Sequence, residues 1–149
     1  MTDNRRHVEI YTDGACSGNP GKGGWCAILL YGGHEKVLSG GDADTTNNRM
    51  EVYAAVAGLS ALKESCRVTL YSDSAYLVNA IEQRWLDNWR AHGWTTADKK
   101  PVKNRELWES LSSLLRKHTV TFVKVKGHAD NVYNNRCDEY ARAAIAAIK

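Results

Sequence analysis

A short β-prone run near the N-terminus, residues 8–14, limits the possible folds of this chain more than any other stretch. It reads Val-Glu-Ile-Tyr-Thr-Asp-Gly, so apolar side chains alternate with others, as in a strand that has one face in a core. In an open α/β sheet, ligands bind beyond the carboxyl ends of the strands. Asp13 at this end, followed by a glycine-rich run to residue 24, therefore predicts an acidic site beside backbone groups, although Asp before Gly is also ordinary turn chemistry.

The composition indicates one soluble domain. The chain has 149 residues, enough to bury a core, and its polar N-terminal residues contain no signal-peptide core. No apolar run reaches membrane-spanning length. The four cysteines lie far apart without a CxxC pair, which is typical of reduced thiols rather than of disulfides or a zinc site. We therefore expect a single domain over residues 1–149, in the cytoplasm.

The order of strand and helix patterns predicts a mixed α/β sheet. Strands are predicted at residues 8–14, 25–31, 35–39, 66–73 and 120–125, and helices at 50–63, 75–89, 104–117 and 135–148. Short glycine turns join the first three strands, so we expect an antiparallel meander. A strand-helix-strand crossover then lays the fourth strand parallel to the first, with the fifth strand in the same direction. Asp13 and Asp73 would then end neighbouring strands at one edge of the sheet.

Two further acids head apolar helix faces. Glu51 is followed on its helical stripe by Ala55, Gly58 and Leu62, and Asp138 by Ala141, Ile145 and Ile148. A carboxylate that faces a packed surface is costly unless it is paired, neutralised or bound to a cation. Taken singly, the acids also have structural explanations. Asn48 and Glu51 would form a capping arrangement, Asp73 would cap the next helix, and Asp138 would meet a helix dipole.

Together, the four acids predict a metal site. Four converging carboxylates repel one another, and we expect no Lys or Arg on these stripes to offset them. An all-oxygen, acid-rich site suits magnesium or manganese rather than zinc. Two such ions stabilise the attacking and leaving oxygens of a phosphoryl displacement. The residues alone therefore indicate a metal-dependent phosphodiesterase.

Six motifs, in this order, resemble type 1 ribonuclease H over nearly the whole chain. They are Tyr-Thr-Asp-Gly-Ala-Cys-Ser-Gly-Asn-Pro-Gly (11–21), Thr-Asn-Asn-Arg-Met-Glu (46–51), Tyr-Ser-Asp-Ser (71–74), Gly-Trp-Thr-Thr-Ala-Asp-Lys-Lys-Pro-Val-Lys-Asn (93–104), Val-Lys-Gly-His-Ala (125–129) and Asn-Arg-Cys-Asp-Glu (135–139). The resemblance implies a ribonuclease H-like fold and endonucleolytic cleavage of the RNA strand of an RNA–DNA hybrid, leaving 5′-phosphate and 3′-hydroxyl ends. It also implies two Mg²⁺ ions in the substrate complex, with Mn²⁺ as an alternative.

The resemblance assigns catalytic roles to five residues. Asp13, Glu51, Asp73 and Asp138 match the metal-binding catalytic acids of the family. His128 matches a histidine on a mobile loop, which assists proton transfer or product release; without the motif it would be an ordinary surface histidine. Between His128 and Asp138, however, the chain departs from the Gly-His-Pro-Glu-type loop of many relatives, which affects the expected turnover rate. Ala75 also replaces a longer side chain that is common in relatives.

The resemblance further implies a set of substrate contacts. Backbone groups at Cys16 and Ser17, with Asn19, Asn48 and Glu51, match positions that face the 2′-hydroxyls by which proteins distinguish RNA from DNA. Thr46, Asn47 and Asn104 match positions that hold the DNA strand. Trp85 and Trp108 match aromatic residues that line the DNA channel, for which core packing is the alternative.

The basic charge of the chain is concentrated in one segment. Residues 84–105 hold six basic residues, among them Lys99, Lys100 and Lys103, against two acidic ones, whereas the whole chain has a net charge of only +3. This segment matches the basic protrusion of the family and predicts a polyanion-binding surface. On charge alone, a solvated loop is the alternative. We expect an RNA–DNA hybrid as partner, no membrane, no protein partner and a monomer.

Two other functions remain compatible with the sequence. The same architecture hosts integrase- or transposase-like nucleases that act on DNA, since a fold does not fix a function. A hybrid-binding module without catalysis is the second alternative, although the four acids argue against it.

Overall fold

The computed structural model describes residues 5–96, 99–126 and 131–148. Its strands are β1 (His7–Ser17), β2 (Gly21–Tyr31), β3 (His34–Thr45), β4 (Arg67–Ser72) and β5 (Thr119–Lys124). Its helices are α1 (Asn47–Ser60), α2 (Ala75–Glu82), α3 (Trp85–Ala91), α4 (Arg105–Lys117) and α5 (Val132–Ala146). No helix within these ranges has the length and apolar character needed to cross a membrane.

The five strands form one mixed sheet in the order β3-β2-β1-β4-β5. β1, β2 and β3 pair antiparallel as a meander, and β4 pairs parallel with both β1 and β5. The predicted topology is therefore confirmed. It follows from tight turns between the first three strands and a helical crossover before β4 and β5.

Several predicted boundaries were wrong, because pairing and packing override local pattern. β1 continues to Ser17 and β3 to Thr45, since the glycine-rich segments around them pair with β2. The helix predicted at 75–89 is two helices, broken at Arg84, whose φ is 58°. This break lets Leu86 of α3 reach the core. α5 begins at Val132 rather than at residue 135, because Asn131 caps it by accepting a hydrogen bond from the Asn134 amide at 3.0 Å.

The sheet has an apolar core on each face. On one face, α1 and α4 pack over Ile10 and Leu70, which are fully buried. On the other, α5 packs over Tyr11, Cys26 and other residues of β1 and β2. Because side chains alternate along a strand, β1 contributes to both cores and is fixed in position from both sides. The strand that carries Asp13 is thus packed on both of its faces.

Two glycines let the helices approach the sheet closely. A Cβ on Gly14 would lie 2.5 Å from the backbone nitrogen of Glu51, so β1 and α1 touch through their main chains at this point. A Cβ on Gly24 of β2 would overlap the carbonyl oxygen of Ala141 in α5. These contacts bring one acid-bearing helix against each face of the meander.

Candidate active site

Strand register brings Asp13 and Asp73 to the same level. In the parallel pair of β1 and β4, Tyr11 lies opposite Tyr71, and each acid follows two residues later. The sequence predicted Asp13 at the carboxyl end of β1. In the structure it lies within β1, just beyond the last residue of β1 that pairs with β4. Ser74, not Asp73, caps α2 by accepting a hydrogen bond from the Leu77 amide. The capping explanation for Asp73 is thus wrong.

Glu51 reaches the same place from α1. The cap of this helix is Thr46, whose hydroxyl accepts a hydrogen bond from the Arg49 amide at 3.2 Å, so Asn48 is not the cap and Glu51 is not in a capping box. Glu51 instead faces the sheet and is only 5% exposed, beside Asp13 at 4%. One carboxylate oxygen from each of Asp13, Glu51 and Asp73 lies within 4.8 Å of the others. Three acids therefore meet at one point.

Asp138 lies beside this cluster rather than within it. It is the seventh residue of α5, beyond the first turn that the sequence predicted, so the helix-dipole explanation fails. Its charge helps to raise the pKa of Asp13, and it forms a salt bridge with Arg142, with an N–O distance of 3.0 Å. The expectation that no cation offsets the acid stripes was therefore wrong, because Arg142 follows Asp138 by one helical turn.

Burial and mutual repulsion oppose ionisation of the clustered acids. Burial raises the pKa of Asp13 from 3.8 to about 8, reinforced by the charges of Asp73 and Asp138. Burial likewise raises the pKa of Glu51, with further contributions from Asp13 and Asp73. One oxygen of Glu51, Oε2, is buried and accepts no hydrogen bond from the part of the chain that the structure describes. The cluster is therefore short of positive charge and of donors.

The acids line an open cavity of about 510 Å³. Cys16 and Ser17 of β1 and Asn47 of α1 share its wall, so several predicted substrate contacts lie beside the acids. Asn19 accepts a hydrogen bond from the Asn47 amide at 3.1 Å, which ties the β1–β2 turn to the start of α1. Asn48 is exposed nearby in the first turn of α1.

The basic segment forms a second surface. Trp85 and Lys99 line a cavity of about 690 Å³, and Lys100 and Lys103 are exposed. Asn104 is at the N-cap position of α4, but its side chain makes no capping hydrogen bond. It donates a hydrogen bond to the Tyr76 hydroxyl at 3.4 Å. These positions are compatible with the predicted polyanion surface.

Trp108 does not lie on that surface. It is fully buried, and its indole nitrogen donates a hydrogen bond to the Tyr76 hydroxyl at 3.2 Å. Its predicted place in a DNA channel is therefore corrected to core packing, the alternative that the sequence left open. The predicted loop histidine, His128, lies outside the described residues.

Comparison with known proteins identifies the family. The family model for RNase H matches residues 5–146. The ribonuclease H of Chlorobaculum parvum is 65% identical over 138 residues, which cover 93% of this chain and 94% of that protein. The chain belongs to the RNase H family. The ribonuclease H of Moorella thermoacetica agrees, at 60% identity over 97% of this chain and 95% of that protein. As a ribonuclease H, the chain is an endonuclease of the hydrolase class.

Solved structures of RNase H proteins share the fold. LC9-RNase H1, a type 1 RNase H with the type 2 active-site motif, superposes with a TM-score of 0.87 at 25% identity, over 100% of this chain and 76% of that chain. LC11-RNase H1, solved in complex with an RNA/DNA hybrid, gives a TM-score of 0.73 at 23% identity, over 93% of this chain and 96% of that chain. The latter likeness concerns the fold alone.

The acid cluster fits the metal dependence of the RNase H family. Its donors are all carboxylate oxygens, the ligand type that hard divalent cations prefer. The raised pKa values of Asp13 and Glu51, and the unpartnered Oε2 of Glu51, are what a site built around a cation would have without one.

Two residues of this RNase H site were missed from the sequence. Arg142 and Asn134 both line the acid cavity. Each is four residues from Asp138, so the i, i+4 spacing on one helix would have found them.

Proposed function

We propose that the chain hydrolyses the RNA strand of RNA–DNA hybrids with the help of two Mg²⁺ ions, and leaves 5′-phosphate and 3′-hydroxyl ends. The observation that carries this proposal is the meeting of three acids, the buried Asp13 and Glu51 and the half-buried Asp73, with ligand oxygens within 4.8 Å of one another. Family membership supports the reaction class, and the open, acid-lined cavity supports cation-assisted cleavage of a phosphodiester.

The acids have distinct tasks in this proposal. Asp13 belongs to both groups, because it lies within the three-acid cluster and the neighbouring charge of Asp138 raises its pKa. Asp13, Glu51 and Asp73 would hold one ion, and Asp13 with Asp138 would help to hold the second. When bound, the ions supply charge neutralisation for the phosphodiester and lower the pKa of the attacking water. Mn²⁺, which also takes oxygen ligands, is expected to substitute.

Substrate recognition would use the walls of the two cavities. Backbone groups at Cys16 and Ser17 lie beside the acids and, with Asn19, Asn48 and Glu51, would read the 2′-hydroxyls of the RNA strand. Thr46, Asn47 and Asn104 are proposed to hold the DNA strand. We also propose that residues 84–105 act as a basic protrusion of a single catalytic domain over residues 1–149, and that its exposed lysines bind phosphates of the DNA strand. His128 is proposed to assist proton transfer or product release.

The test uses three end-labelled duplexes of one sequence: RNA–DNA hybrid, duplex DNA and duplex RNA. Each is incubated with MgCl₂, with MnCl₂ or with EDTA. We expect cleavage of the RNA strand of the hybrid alone, in both metals and not in EDTA. Product ends are assigned by phosphatase treatment and by ligation, which requires a 5′-phosphate and a 3′-hydroxyl.

Asp13→Asn provides the matched inactive variant, because it keeps the size of the side chain and removes the shared charge. It should bind the hybrid as well as the wild type does and hydrolyse almost none. Wild-type cleavage rates in this variant would refute the role of the acid cluster. Cleavage of duplex DNA would favour an integrase-like nuclease, and hybrid binding without cleavage by the wild type would favour a binding module.

A further inference from the structure

A buried amide oxygen in the acid cavity is not explained by the fold. Asn134, in the first turn of α5, is 3% exposed and lines the cavity. Its Oδ1 accepts no hydrogen bond from any residue that the structure describes. Buried polar atoms are nearly always paired, because leaving one unpaired forfeits its hydration without return. An oxygen in a functional cavity that no described residue pairs therefore calls for another partner.

The helix cap does not use this side chain. In the first turn of α5, it is the backbone amide of Asn134 that is bonded, to the Asn131 side chain at 3.0 Å. The side chain of Asn134 points instead to the face that carries Asp138 one turn later, and that face packs against β1 and β2. The carboxamide oxygen thus faces the acids from α5, whereas the orphaned Oε2 of Glu51 lines the same cavity from α1.

Two buried acceptors that no described residue satisfies line this cavity, so the cavity should contain a hydrogen-bond donor. When a bound cation keeps the acids ionised, their oxygens only accept, as Asn134 Oδ1 always does, so neither satisfies the other. Water in the shell of a divalent ion is a strong donor, and buried groups around metal sites commonly accept such hydrogen bonds.

We propose that Asn134 is a positioning residue of the metal centre: its Oδ1 accepts a hydrogen bond from a water molecule in the shell of the divalent ion held by the acid cluster. The inference rests on the proposed metal-dependent function. Asn134 itself does not coordinate the ion, and it fixes the water from the α5 side of the cavity.

The test compares Asn134→Leu, which keeps the volume and removes the acceptor, with Asn134→Asp, which keeps acceptor oxygens at the same place. Binding of MgCl₂ and of MnCl₂ to the substrate-free protein is measured by titration calorimetry and by the rise in thermal midpoint. We expect Asn134→Leu to bind about 10-fold more weakly than the wild type, and Asn134→Asp to stay within about threefold of it. Asn88→Leu, the same exchange at an exposed position of α3 that does not line the acid cavity, should leave the affinity unchanged.

Stability in EDTA separates this role from a structural one. Because the oxygen is unpaired without metal, Asn134→Leu should be as stable as the wild type or more so, and only its response to metal should fall. Loss of stability in EDTA with an unchanged metal affinity would overturn the proposal in favour of a structural role. Equal affinities of Asn134→Leu and the wild type would overturn it as well.

A failure of the proposed metal-dependent function would give a different result from a failure of the Asn134 proposal. If neither metal binds to the wild type and Asp13→Asn behaves identically, the metal centre itself is refuted, together with the role of Asn134. If the wild type binds metal and Asp13→Asn does not, the metal centre stands, and the Asn134 variants alone decide the present proposal.

Discussion

Replacing Asp13 with asparagine should stabilise the protein when no divalent ion is present. Burial, with the nearby charges of Asp73 and Asp138, raises the pKa of Asp13 from 3.8 to about 8. Between these two values the unfolded chain has released a proton that the folded protein still holds. The contribution of Asp13 to the free energy of unfolding is therefore complete below about pH 3.8 and is lost as the pH rises toward about 8.

The size of this loss in the free energy of unfolding follows from how far the pH lies above the pKa of Asp13 in the unfolded chain. Each pH unit costs at most about 1.4 kcal/mol, and neutral pH lies about three units above the unfolded pKa, so the penalty at pH 7 approaches about 4 kcal/mol. Because the charges of Asp138 and Glu51 lie close to Asp13, removing the charge of Asp13 also lowers the repulsion on these neighbours. We expect Asp13→Asn to raise the free energy of unfolding by about 2–4 kcal/mol at neutral pH.

Urea unfolding in EDTA, followed by circular dichroism, measures this difference. The gap between Asp13→Asn and the wild type should widen from about pH 5 to about pH 7.5, because the penalty grows with pH. MgCl₂ should stabilise the wild type and leave the variant almost unchanged. The exposed Asp44→Asn serves as control and should stay within about 0.5 kcal/mol of the wild type. If Asp13→Asn is no more stable than the wild type in EDTA, the electrostatic reasoning is refuted.

Three other perturbations test separate parts of the structure. Gly14→Ala places a Cβ 2.5 Å from the Glu51 amide nitrogen, so urea unfolding should show a loss of about 1–3 kcal/mol, and wild-type stability would contradict the close approach. Burial lowers the pKa of His118 below 6.5, so its stability contribution is complete above about pH 6.5 and is lost as the pH falls. His118→Asn should therefore flatten the acid side of the stability profile by up to about 1.4 kcal/mol per pH unit, and an unchanged slope would argue against this. Replacing Lys99, Lys100 and Lys103 with alanine should weaken hybrid binding and reduce its logarithmic salt dependence by about one for each phosphate that is no longer neutralised, whereas an unchanged slope would leave these lysines without a phosphate role.

Local pattern predicted the sheet well because its rules act over short distances. Alternating side chains and glycine turns define β1 to β3, and the crossover rule then leaves one natural place for β4. The register of β1 and β4, with Tyr11 opposite Tyr71, brings Asp13 and Asp73 to one level as predicted. The convergence of the acids was accessible from sequence because it depends on topology and not on side-chain detail.

Helix boundaries and side-chain partners were less accessible. Arg84 interrupts a continuous helical pattern, and this break brings Leu86 into the core. Trp108 has the sequence context of a substrate contact, yet it is fully buried against Tyr76. A tryptophan has apolar surface that suits either environment, so only the packing of α4 against the sheet decides between them.

The amino-acid sequence by itself determined the order of the strands, the family and the four acids that meet beside β1, because chain connectivity and strand direction leave few alternatives. Only the tertiary structure decided how these acids divide. Asp13 and Glu51 are buried and meet the half-buried Asp73, whereas Asp138 is paired with Arg142. Asn134 lines the same cavity with an oxygen that no described residue pairs. The physical reason is that burial and the partners of a charge depend on where α5 rests on the sheet, and the close contact at Gly24 sets that position.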